Sequence, residues 1–114
     1  MSAAVAEPML EAELWISFAS LLRSYFAAAT LDRPEARIDG THDSVVLRLG
    51  ATWLIIVCNP EAGTGAWRIE GGATHSGEFT LLQDGRIALD GNAVELDHAA
   101  IDLVTLAVRA GKEA

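Results

Sequence analysis

The chain has 114 residues, with 16 acidic against 8 basic side chains and a formal net charge of −8. That length suits one domain, residues 1–114, and that charge repels phosphate backbones and anionic lipid, which argues against nucleic-acid and membrane partners. Hydrophobic residues make up 51% but aromatic ones only 6%, so an aliphatic core with a few ring anchors is expected rather than a disordered chain.

Residues 1–6 are small and aperiodic and are expected to fray. They lack the basic start and continuous apolar run of a signal peptide. The longest apolar run, Trp53 to Cys58, is too short to span a membrane. With Cys58 as the single cysteine there is no internal disulfide, and a reducing cytoplasmic location is the expectation.

A helix is predicted from about Glu7-Pro8, where Pro suits the first turn and Glu the positive end of the dipole. Leu10, Leu14, Phe18, Leu21, Leu22 and Tyr25 recur at helical spacing, with Glu13, Ser17, Ser20 and Ser24 opposite. The helix should fade through Ala27 to Ala29. The period then falls to two. Ala36 to Asp39 is a short candidate strand, followed by a turn over Gly40 to Asp43. Val45, Leu47 and Leu49 alternate with Val46 and Arg48, and Thr52 to Cys58 follows after Gly50-Ala51. Gly63-Thr64-Gly65 reads as loop and Gly71-Gly72 as a turn. Trp67 with Ile69, Phe79 with Leu81, Ile87 with Leu89, and Val94 with Leu96 supply further strand signals. Gln83-Asp84-Gly85 is predicted to be a three-residue hairpin loop with Gly85 left-handed, pairing Leu81 with Ile87 and Phe79 with Leu89. Asp97 is predicted to cap a last helix running from His98 to about Ala110, with Gly111 as its stop.

The fold class is therefore α+β: an N-terminal helix, an antiparallel β-meander of five to seven strands and a C-terminal helix, as a two-layer sandwich. In this outline the chain is similar to class I type III secretion chaperones, dimeric holders of other proteins, although the helix those chaperones carry in mid-chain is missing here. The resemblance implies a homodimer that binds another protein.

The even turn at Gly50-Ala51 sets Leu49 opposite Thr52, Leu47 opposite Leu54 and Val45 opposite Ile56 on one face. Arg48 beside Trp53 and Val46 beside Ile55 then share the other. That second face carries polar residues on neighbouring strands, including Arg68, Glu70, Glu78, Thr80, Arg86 and Glu95, yet Trp53, Ile55 and Val57 are apolar. An apolar stripe in a charged frame has the makeup of an interface. Arg48, Trp53, Ile55, Val57 and Arg68 are its candidate binding residues, with Arg48 stacked on Trp53. If the two helices instead cover opposite faces, the stripe is core.

Other chemistry finds little support. Gly63-Thr64-Gly65 lacks the helix and Lys-Ser/Thr pair of a phosphate loop. His42, His75 and His98 have no metal-ligand spacing, so neither metal nor cofactor is expected. Cys58 ends an apolar strand and is expected to be an inert buried thiol. Glu70, His75 and Glu78 bracket one turn and are the only acid/base candidates. The leading expectation is a non-catalytic interaction module, a homodimer or a binder of another protein. The alternative is a small-molecule binder or small enzyme with its pocket between the helices and a curved sheet.

Overall fold

A computed structural model describes residues 8–59, 61–71 and 74–113; the expected fraying of residues 1–6 lies outside them. The elements are α1 (Pro8–Ala29), β1 (Ala36–Thr41), β2 (Ser44–Leu49), β3 (Thr52–Asn59), β4 (Thr64–Glu70), β5 (His75–Leu81), β6 (Ile87–Leu89), β7 (Asn92–Val94) and α2 (Leu96–Glu113). The seven strands form one antiparallel sheet in sequence order, because each loop is short enough to bring its strand back beside the last. No helix interrupts the strands among the described residues.

Both helices pack on the same face of the sheet and against each other. The predicted β2–β3 register holds at every pair: Val45 with Ile56, Leu47 with Leu54, Leu49 with Thr52, and on the other face Val46 with Ile55 and Arg48 with Trp53. The core lies between sheet and helices, where Phe18, Leu22, Leu54, Ile56, Ile69 and Leu81 are fully enclosed. α1 docks through Trp15, whose indole N–H donates to the His42 carbonyl at 2.6 Å while its ring stacks on Phe79, 6.3 Å between centroids. No helix of the described residues is long and apolar enough to cross a membrane.

Hairpin geometry follows the turn chemistry. Leu81 pairs with Ile87 and Phe79 with Leu89, and Leu82 N–H donates to Arg86 C=O, leaving Gln83-Asp84-Gly85 as the loop with Gly85 at φ +88°. The next turn is Asp90-Gly91, both residues left-handed as a two-residue type I′ hairpin demands.

Several boundaries differ from the sequence reading. β1 runs on to Thr41, so the turn shrinks to His42-Asp43. Thr64 and Gly65 belong to β4, not to a loop. Gly65 lies under the Phe79 ring, where a Cβ would meet Cζ at 2.2 Å. Arg86 and Glu95 fall just outside the strands. Asp97 is not the N-cap residue of α2, although its Oδ1 accepts the first-turn His98 N–H at 3.0 Å. Ala99 N–H already bonds to Glu95 C=O, so Glu95 stands at the cap position and Asp97 in the first turn. Nor does Gly111 stop the helix, which continues to Glu113. A Cβ on Gly111 would lie 2.7 Å from Leu49 Cδ2, so this glycine is there for close approach of helix to sheet.

Candidate functional site

With both helices on one side, no described helix covers the opposite, open face of the sheet. The registers order it into four cross-strand rungs, of which Asn59, Thr64, Thr80, Ala88 and Ala93 form one at the end and the other three carry the candidate residues. The first runs Thr41, Ser44, Val57, Ala66, Glu78. The second runs Asp39, Val46, Ile55, Arg68, Ser76. The third runs Arg37, Arg48, Trp53, Glu70. Trp53 is 38% exposed and Val57 45%, with Ile55 and Val46 half-buried between them. β3 is the cause: its inner positions Leu54, Ile56 and Cys58 feed the core while its outer positions stay apolar. The five predicted binding residues thus lie together on one surface.

Small side chains on neighbouring strands make this surface concave. Ala66 and Ser76 leave a depression of about 540 Å³ walled by Ile55, Val57, Arg68 and Glu78. Sequence reasoning passed over Ala66 and Ser76, although the register that places Trp53 and Ile55 on this face places them there too; Val46 was placed on the face but not among its binding residues. Arg48 lies over the Trp53 ring, 4.8 Å from its centroid, and its Nε donates to the Gly50 carbonyl at 2.9 Å. Arg68 pairs with Glu70 at 3.1 Å, both about half exposed, a contact that water keeps weak. On this face Arg37, Arg48 and Arg68 balance Asp39, Glu70 and Glu78, so it is neutral while the molecule as a whole carries −8.

The first edge strand of the sheet is capped locally near its two ends. The two-residue turns fix the hydrogen-bonding parity so that Ala36, Ile38 and Gly40 turn their backbone groups outward from β1. Ala36 N–H is taken by the Arg33 carbonyl at 3.1 Å and Ala36 C=O by Arg37 Nη1 at 2.8 Å. Gly40 N–H donates to Asp39 Oδ1 at 2.8 Å. Such local capping is how edges are protected from pairing with a further strand. At the far edge β7 is only three residues long.

The acid/base candidates are not brought together. His75 pairs with Ile69 and so belongs to the helix side of the sheet, while Glu70 and Glu78 lie on the open side. Cys58 is buried, and burial, then the Glu11 carboxylate, then Asp43, push its thiol up to about 11. Glu11 itself is only 2% exposed, and its Oε2 has no hydrogen-bond partner among the described residues, a feature with no signal in the sequence. No group of three His, Cys, Asp or Glu among the described residues is placed to hold a metal.

Comparison with known proteins gives no further lead. No family model matches the chain. No curated protein matches it, and no solved structure does.

Proposed function

We propose that the protein is a non-catalytic interaction module that works through the open face of its sheet, assembling there as a homodimer. One observation carries the reading: Trp53 and Val57, exposed on either side of half-buried Ile55, form an apolar stripe on a charge-balanced face of a strongly acidic molecule. Exposed apolar side chains in a charged frame favour a covered state. Neutrality lets two copies approach on this surface without local repulsion. Local caps on Ala36 and on the Gly40 N–H shorten the stretch of β1 free to add a strand, which favours assembly by face.

The test compares two neighbouring positions that point to opposite sides. Ile55→Glu places a carboxylate in the proposed interface and should give a folded monomer by light scattering and circular dichroism. Leu54→Glu buries one in the core and should unfold the domain. A wild-type chain that stays monomeric at tens of micromolar (about the range of weak dimers), or an Ile55→Glu variant that assembles as the wild type does, overturns the proposal.

A further inference from the structure

Resting on that homodimer reading, we propose how the second copy is seated: Trp53 of each subunit enters the depression over Ala66 and Ser76 of the other, and Arg68 exchanges its own Glu70 for Glu70 of the partner subunit.

The face carries a knob and a hole side by side. Trp53 is the largest exposed ring on it, and the depression beside it holds about 540 Å³. In a two-fold dimer any contact that puts one knob into the partner's hole repeats itself, so both holes fill at once. The sheet's own lattice then fixes the rest. Strands lie about 4.8 Å apart, and same-face neighbours along a strand about 6.7 Å apart. The centre of the depression lies on β4, between the first and second rungs, so Trp53 is about 11 Å away on that lattice. The two-fold axis must run between the two faces, across the midpoint of that line.

Two consequences were not built in. Ile55 falls almost on the axis and meets its own copy. The partner's Glu70 falls within about 3 Å of the lattice position of Arg68, so opposite charges meet where a random seating would as readily oppose like ones. The intrachain Arg68–Glu70 contact, half exposed at 3.1 Å, is weak enough to be exchanged for the interchain one.

Two single variants, Arg68→Glu and Glu70→Arg, separate contacts within a chain from contacts between chains. Each homodimer opposes like charges twice across the axis and should bind about tenfold or more weakly than wild type. Mixed together, the two variants oppose Glu to Arg at both contacts, although each chain keeps its internal like-charge pair. Native mass spectrometry of an equimolar mixture should therefore show the heterodimer well beyond the roughly twofold excess over either homodimer that random pairing gives. Ala66→Trp, which fills the hole, should give a folded monomer. If both charge variants dimerise as wild type does and mix statistically, or if Ala66→Trp dimerises normally, this seating is wrong. Dissociation by Ile55→Glu would then still stand for the sheet face itself, whereas a monomeric wild type removes both proposals.

Discussion

Cys58 shows how much a residue's neighbours decide. Its position at the end of an apolar strand was enough to predict a buried, inert thiol, and it is 2% exposed with its thiol raised to about 11. At pH 7 it should resist alkylation by iodoacetamide in the folded protein and react once denaturant is added. The raised value also has a stability consequence. An ordinary thiol ionises near 9, so between about pH 9 and 11 the unfolded chain gives up its proton while the folded chain keeps it. Stability from this group is complete below pH 9 and lost as pH rises towards 11, by about 2 kcal/mol; Cys58→Ala should lack that loss. Glu11 was illegible in the sequence because a first-turn glutamate has an ordinary reason to be there, and only the packing shows it enclosed. Glu11→Met should stabilise the fold by about 1 kcal/mol in urea melts, since it removes a buried oxygen without a partner, and should bring the Cys58 thiol down.

At the scale of elements, strands were more legible than helix ends. Alternation and turn length fixed the β2–β3 register and the Gln83-Asp84-Gly85 loop, because a slip of one residue would have turned every core side chain outward. Helix ends failed where tertiary contact overrode local signals: Gly111 has the look of a stop, yet Leu49 occupies the space its side chain would need. Gly65 misled for the same reason. On β4 and β5, Gly65 pairs with Phe79 and Trp67 with Gly77, so each ring lies across the glycine of the facing strand. Trp67 thereby reaches the Asp90 carboxylate at 3.4 Å, and Asp90 also accepts the Glu78 N–H at 2.9 Å, tying the last hairpin to β5. A Cβ on Gly77 would come within 2.0 Å of Asp90 Oδ1 and 2.5 Å of Trp67 Nε1. Gly65→Ala and Gly77→Ala should each cost about 1–3 kcal/mol in denaturant midpoints. Gly85→Ala, which meets open space and suffers only from its left-handed backbone, should cost about 1 kcal/mol.

For the whole molecule, the question the sequence left open was whether the two helices share a face, since periodicity describes each helix but not its side of the sheet. The answer exposes Trp53, and with it a division of charge that composition conceals. Three arginines and three carboxylates cancel on the open face, so the net −8 belongs to the rest of the molecule. Two effects of salt on the proposed dimer then oppose each other. Screening weakens the interchain Arg68–Glu70 contacts, but it weakens equally the intrachain contacts they replace, so that exchange is close to neutral. The repulsion between two bodies of charge −8 has no such counterpart. It acts over about 30 Å at 10 mM salt and about 8 Å at 150 mM. Dimerisation should therefore tighten as salt is raised across that range, by about threefold or more in Kd by sedimentation equilibrium. It should tighten also as pH falls towards the isoelectric point near 4.6, where the repelling charge vanishes. A dimer that loosens with salt would instead be held by complementary patches of opposite charge, and the apolar stripe at Trp53, Ile55 and Val57 would not be what joins the subunits.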